Sequence, residues 1–334
     1  MDGHVLSNGV TVLLAVGALV VWRSARRSPF WRDAARQLRR RRPWALAAVA
    51  AYVAIGLLDS VSWVGGGAVQ QPRSIVDRLF PADFHERSYS APLAASEFYG
   101  GAPLAHPSRH LLGTDILGRD TLRQTLKGVR VALLIGGLTS LLTIPLALFF
   151  GVSAGYLGGR FDDAVVFVMS VIYSIPTLLL LVALVMVLGK GPVQVCVALG
   201  LTSWVGFCRI TRGETLKLRE LDYVQAARAL GASERRILLG HVVPNLAHLV
   251  VITFALTFSS MVLSEAILSW LGLGIDGSWG QMIDQARDEL SRDPVIAWNL
   301  VAAASALFGL ILAVNLVGDA LRDVLDPRTA RERL

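Results

Sequence analysis

Tyr223-Val-Gln-Ala-Ala-Arg-Ala-Leu-Gly231-Ala-Ser-Glu-Arg-Arg-Ile-Leu-Leu-Gly-His241-Val-Val-Pro244-Asn245 is a polar island in a very apolar chain. It reads as two short helices broken at Gly231, with strongly hydrophobic segments on both sides. A polar, basic, helical segment between two such segments belongs in water, at a membrane surface or against a soluble partner. The expected local chemistry is specific. Asp222 is placed to cap the first helix, with Gln225 three positions on reaching back to the cap's amide. Val224, Ala227 and Gly231 share one helical face, and Ala226 and Leu230 another. Their small side chains leave a smooth ridge that fits a groove on another protein. Gly231 ends the helix as a left-handed residue, Ser233 caps the next one, and Pro244 suits the first turn of the span that follows.

Working outward, the flanking runs decide the fold class. The chain has 334 residues, 54% hydrophobic and 17% charged, a balance no soluble domain sustains. The apolar residues fall in runs of about 20, the length that crosses ~30 Å of hydrocarbon. The expected class is therefore all-α, a polytopic helical membrane protein. Spans are expected at Val5–Trp22, Trp44–Val64, Val131–Gly151, Asp163–Leu188, Val193–Arg209, Leu246–Leu271 and Val295–Leu316, with kinks at Pro145 and Pro176. Val5–Trp22 lacks the basic leader and cleavage site of a signal peptide, so it reads as an extra N-terminal span.

The net charge of +7 is concentrated in Arg23–Arg42. Between two apolar runs it marks the cytoplasmic side rather than a nucleic-acid surface. Counting spans from there puts both the island and the tail inside. The expected organisation is an extra helix and basic linker over 1–43, then the first core span and a long external segment over 44–130. A membrane core over 131–319 carries the cytoplasmic loop 212–245, and 320–334 is a cytoplasmic tail. Within the external segment, Asp120–Arg130 has the spacing of a short amphipathic helix lying along the membrane face.

The order of residues in the island resembles the "EAA" coupling loop of ABC importer permeases: Glu-Ala-Ala, three residues, Gly, nine residues, then Ile-x-Leu-Pro. The spacing is kept. Gln225 stands for Glu, His241 for Ile and Val243 for Leu. Three other stretches are similar to the second (C-type) permease of the dipeptide, oligopeptide and nickel importers. One is the external motif Gly113-Thr114-Asp115-Ile-Leu-Gly118-Arg119-Asp120. Another is Glu265 through Gly272 and Gly274 to Ser278-Trp279-Gly280, and the third is Gly318-Asp319 through Asp326-Pro327-Arg328.

The resemblance covers Pro43–Arg328 and implies a six-span type I importer permease core in a bacterial inner membrane. It implies Tyr223, Gln225, Ala226, Ala227, Leu230, Gly231 and Pro244 as the ATPase-coupling residues. The implied partners are a second permease subunit, one or two cytoplasmic ABC ATPase subunits, a periplasmic substrate-binding protein and the surrounding membrane lipid. It implies peptides as cargo, with nickel, glutathione or antibiotic peptides as alternatives. ATP would be hydrolysed by the partner subunits, since this chain has no Walker A pattern and no nucleophile–base constellation.

A stand-alone secondary transporter is the competing class, and it would place functional polar groups mid-membrane. Here most charges lie outside the spans. Glu265, near the outer end of a span, is expected to hydrogen-bond a neighbouring helix rather than contact cargo. Asp115, Arg119 and Asp120 are expected to anchor the amphipathic helix as an ion-pair cluster. His106 and His110 have the i,i+4 spacing of a metal pair, but Pro107 between them argues against a helix, and no metal site or bound cofactor is expected. Cys196 and Cys208 are expected to pack as small apolar groups.

Overall fold

The computed structural model of the chain describes residues 36–63, 73–81 and 84–325. The expected first span, most of the basic linker and the tail from Asp326 lie outside the described residues. Helices dominate. Besides helical residues at 36–41 and two short turns between α8 and α9, they are in chain order α1 (Pro43–Ser60), α2 (Ile75–Arg78), α3 (Thr121–Leu157), α4 (Gly159–Ser174), α5 (Thr177–Leu188), α6 (Pro192–Leu218), α7 (Asp222–Ala229), α8 (Glu234–Ile237), α9 (Ala247–Trp270), α10 (Trp279–Leu290) and α11 (Trp298–Leu325). A two-stranded ribbon pairs Ser62–Trp63 antiparallel with Arg73–Ser74.

Five helices, α1, α3, α6, α9 and α11, are each long and apolar enough to cross a membrane. The pair α4–α5 makes the sixth candidate, bent by 92° at its break. These six coincide with the six expected core spans. Two details differ. At Pro176 the chain breaks rather than kinks. Ile175 is extended (φ −94°, ψ 129°), because the ring of a following proline clashes with a helical residue before it. Pro145, by contrast, lies inside the uninterrupted helix α3. The separate amphipathic helix expected at Asp120–Arg130 is in fact the first turns of α3, which runs 37 residues without a stop. Its polar turns lead straight into the apolar run, so the sequence pattern changes where the backbone does not.

The described residues divide into two compact units, those within 36–135 together with 262–316, and 136–261 together with 317–325. In the first unit, tryptophans fasten the starts of α10 and α11 to the first turns of α3 and to the loop that precedes it. The indole N–H of Trp279 donates to the Thr125 carbonyl (2.8 Å), and that of Trp298 to the Thr114 carbonyl (2.9 Å). Gly128 is glycine because a Cβ there would stand 2.4 Å from the Trp279 ring. Thr121, Asn299 and Glu289 continue the fastening as a buried chain: Thr121 Oγ1 donates to Asn299 Oδ1, and Asn299 Nδ2 donates to Glu289 Oε1 (2.9 Å).

In the second unit, α3 and α6 approach closely. A Cβ on Gly151 would lie 2.0 Å from Thr211 Oγ1, and one on Gly155 would lie 2.7 Å from the Arg212 carbonyl. Small residues four apart allow two membrane helices to touch backbone to backbone. Beside that seam, Arg212 grips Asp162 through two parallel bonds (Nε–Oδ1 2.5 Å, Nη2–Oδ2 2.6 Å), joining α6 to α4. Cys208 is buried in the same apolar core, with Ile144, Trp204 and Phe207, and Cys196 is buried in α6.

Candidate functional site

The island forms two helical pieces, as its sequence predicts, but its caps differ in kind. α7 begins one residue earlier than expected. Leu221 is the N-cap, Asp222 is already helical, and no side chain caps the helix. The capping box does not form. Gln225 turns outward instead, and its Nε2 donates to the Arg219 carbonyl at 2.8 Å, closing the turn between α6 and α7. Ser233 does sit at the N-cap of α8, also without a side-chain cap bond. The C-terminal end follows expectation. Gly231 has φ +81°. Its N–H bonds the Arg228 carbonyl, and the Ala232 N–H bonds the Ala227 carbonyl, the paired pattern that a left-handed residue makes possible. After α8 the chain passes through a π-helical turn, Leu238–Val242, and then a single turn, Val243–Asn245, that holds Pro244 before α9.

The two faces of α7 are not equivalent. Val224 is fully buried in a core with Val152 and Tyr156 of α3 and with Ile237, Val242 and Leu246. Ala227 packs on the same cluster. The opposite ridge is open: Tyr223 is 43% and Leu230 88% exposed, and Ala226 between them is exposed as well. A leucine held out this far loses the ~1.5–3 kcal/mol that burial would give it, so the ridge is an apolar surface on a firm base. The base is fixed twice more. Asn245 Nδ2 donates to Tyr223 Oη (3.1 Å), tying α7 to the end of the island, and the Arg228 guanidinium lies over the Tyr156 ring.

Beside Gln225, the rest of this surface is shaped by a group from outside the island. Tyr156, Arg219, Glu220, Gln225, Arg228 and Glu234 line an open cleft of about 410 Å³ beside α7. Tyr156 belongs to α3, more than 60 positions away, so no local pattern reveals it.

The motif Gly113–Asp120 is bound up in turns and buried hydrogen bonds. Gly113 (φ +72°) and Gly118 (φ +69°) take left-handed turns in which a Cβ would strike the carbonyls of Ser90 and Glu86. Thr114 is buried, donating to the Ser88 carbonyl (2.9 Å) and accepting from the Ser90 amide (2.7 Å). Asp115 Oδ1 accepts the amides of Leu117 and Arg119, and its Oδ2 pairs with the Arg119 guanidinium at 2.7 Å. Asp120 stands apart from this pair. Its Oδ1 accepts the Arg123 amide (2.8 Å), capping α3, and its Oδ2 meets His110 Nδ1 (2.8 Å). The expected three-membered ion-pair cluster is thus one pair plus one cap.

Asp77 anchors the next turns of α3, facing Arg123 and Lys127 (2.7 and 2.8 Å). Burial alone would raise its pKa, but Lys127 and Arg123 outweigh burial and hold it well below the ordinary carboxylate range. Burial pushes the Glu289 carboxyl up, partly offset by Asn299. Buried beside Glu289, the Tyr89 phenol is pushed up to about 12.

The third motif closes α9 onto α10. Glu265 is buried and accepts from Ser269 Oγ (2.6 Å), which also meets Ser278 Oγ (3.1 Å), the N-cap of α10. Gly272 (φ +76°) ends α9, and Gly274 is pressed against Ser269, where a Cβ would lie 1.6 Å from Oγ. The bond of Glu265 to Ser269 thus stays within α9, and it is Ser269 that reaches α10, through Ser278 Oγ, where a direct bond from Glu265 to a neighbouring helix is expected from the sequence.

This chain matches the model of the family described as binding-protein-dependent transport system inner membrane component over residues 147–331. It belongs to that family. It is a multi-pass inner-membrane permease, and its sequence relatives place it in the oligopeptide and dipeptide permease type. It is 36% identical over 226 residues to the oligopeptide transport system permease OppC of Bacillus subtilis, covering 66% of this chain and 73% of that one. It is 36% identical over 249 residues to the di/tripeptide transport system permease DppC of Pseudomonas aeruginosa (71% and 81%). The glutathione transport system permease GsiD of Pectobacterium atrosepticum is 36% identical over 224 residues (66% and 73%). In fold, the chain is similar to one in an inward-facing structure of the MetNI methionine ABC transporter, with TM-score 0.50 and 19% identity, covering 61% of this chain and 97% of that one.

Proposed function

We propose that this chain is the permease subunit of a peptide importer, paired with a second permease and driven by separate cytoplasmic ATPase subunits. The observation that carries the coupling role is the ridge Tyr223–Ala226–Leu230, apolar and exposed, on a helix whose opposite face is locked into the core by Val224. A rigid helix with an apolar outer ridge is suited to a groove on a soluble partner. ATP binding would draw the ATPases together, and α7 would move with the one it occupies. Because α7 is packed on Val152 and Tyr156, that displacement passes into α3, and through the Gly151–Gly155 seam into α6. The spans then exchange between two packed arrangements, opening the pathway to alternate sides. A periplasmic binding protein would deliver the cargo.

Peptides are favoured because the relatives named as oligopeptide and di/tripeptide permeases align over 66–71% of this chain. Glutathione, itself a tripeptide, is the second reading, favoured by the GsiD relative. The test is uptake of labelled di-, tri- and oligopeptides by cells that lack other peptide importers and carry this chain with its operon neighbours. ATP-dependent peptide uptake, lost when this chain alone is deleted, supports the proposal. Uptake of nickel with no uptake of any peptide contradicts it.

A further inference from the structure

Glu86, His106 and His110 come together in the loop region that precedes α3, with one ligand atom from each lying within 4.8 Å of the others. The stretch from His106 to His110 is not helical, as Pro107 dictates. A turn does the work instead: the Arg109 amide bonds back to the His106 carbonyl, and Ser108 takes a left-handed conformation (φ 58°). The third member comes from 20 positions upstream of His106. Glu86 is fixed there by its backbone, whose N–H bonds the Gly118 carbonyl at 2.9 Å, and by the amides of Ala105 and His106, both 2.8 Å from its carboxylate.

We propose that these three side chains bind one divalent transition-metal ion of the zinc type. Four observations carry the assignment. His106 Nδ1 and His110 Nε2 lie 3.4 and 3.2 Å from the same oxygen, Glu86 Oε1. Ligands ~2.0–2.1 Å from a tetrahedral zinc are separated by about 3.3 Å, the edge of that tetrahedron. His106 Nδ1 is buried and has no hydrogen-bond partner, an orphan that a metal satisfies. The other ring nitrogen of His110 is held by Asp120 Oδ2 at 2.8 Å, and a carboxylate behind a ligating imidazole fixes its tautomer and aim. Finally, Phe84 packs against both imidazoles (ring centroids 5.2 and 4.4 Å apart), walling one side from water. Two imidazoles and one carboxylate are a zinc-type donor set with a fourth position left open. The ion would clamp the segment at Glu86 to the His106–His110 turn, and through Asp120 to the start of α3.

The test uses the full-length chain in detergent, purified on a tag without histidine, stripped with a chelator and reloaded with zinc chloride. Metal is counted after desalting, and melting temperature is followed with and without zinc. The expected result is one zinc retained per chain and a higher melting temperature with zinc. Both are lost in His106→Ala and in Glu86→Gln, and both are kept in His85→Ala, an exposed histidine beside the site. His106→Asn replaces His106→Ala if the alanine variant is poorly folded without metal. Wild-type protein that retains no zinc and gains no thermal stability would overturn the proposal. So would zinc retention unchanged by the His106 and Glu86 substitutions.

Discussion

Gln225 donates its side-chain amide to the main-chain carbonyl of Arg219, 2.8 Å away across the turn that joins α6 to α7. In the coupling-loop pattern that this chain resembles, the position is Glu. A carboxylate cannot donate, so the bond seen here requires the amide. Replacing Gln225 by Glu or by Ala should therefore weaken the turn alike. A net loss of about 0.5–1.5 kcal/mol is expected for one hydrogen bond, read as a lower melting temperature in detergent. A Glu variant more stable than wild type would show that the amide is not what holds the turn.

The α3–α6 seam makes a paired prediction. Gly151→Ala places a methyl 2.0 Å from Thr211 Oγ1 and 2.6 Å from the Cys208 carbonyl, which is backbone and cannot rotate away. Overpacking of this kind costs about 1–3 kcal/mol. Gly213→Ala, within the same α6, meets nothing within 4 Å. It should be neutral or stabilise by about 0.5–1 kcal/mol, because glycine is a poor helix former. Thermal melts of the two variants side by side check both signs.

Asp77 sets an acid limit. Its pKa is depressed in the folded protein by Lys127 and Arg123. The stability it contributes is therefore complete above its unfolded value of about 3.9 and is lost as pH falls through the lower folded value. Asp59 is the other carboxylate nearby, joined through Ser74 Oγ at 2.7 Å, with Arg130 beyond it. Melting temperature should fall as pH drops below about 4, and Asp77→Asn should lower it at neutral pH while flattening the acid slope. An unchanged slope in Asp77→Asn would assign acid sensitivity elsewhere.

The core spans are legible because each needs a long apolar run, and six such runs fall where helices form. The amphipathic segment before Val131 reads as a separate helix because its charges stop where the apolar run begins. Only the backbone shows that Thr121–Leu157 is continuous. Pro176 marks a break in the sequence, but the 92° it turns depends on packing. The inward face of α7 was equally hidden. Val224–Ala227 and Ala226–Leu230 are both small and apolar, and the choice is made by Tyr156 and Val152 from another helix. Two histidines separated by a proline do not resemble a helical metal pair, and Glu86, their third partner, lies too far away in sequence to be noticed.

The inward turn of Ala227 matters for the central claim, because an aspartate there would disturb the core before it disturbed a partner. Ala226 and Leu230 carry no such burden. The decisive measurement is recovery of the ATPase subunits, with ATP-driven peptide uptake, for wild type, Ala226→Asp and Leu230→Asp, each checked for an unchanged melting temperature of the permease. The account predicts that both variants insert and fold like wild type, yet lose the ATPase subunits and at least about tenfold in uptake, as a loss of ~1.4 kcal/mol in docking implies. Variants that retain the ATPases and transport at the wild-type rate would contradict it.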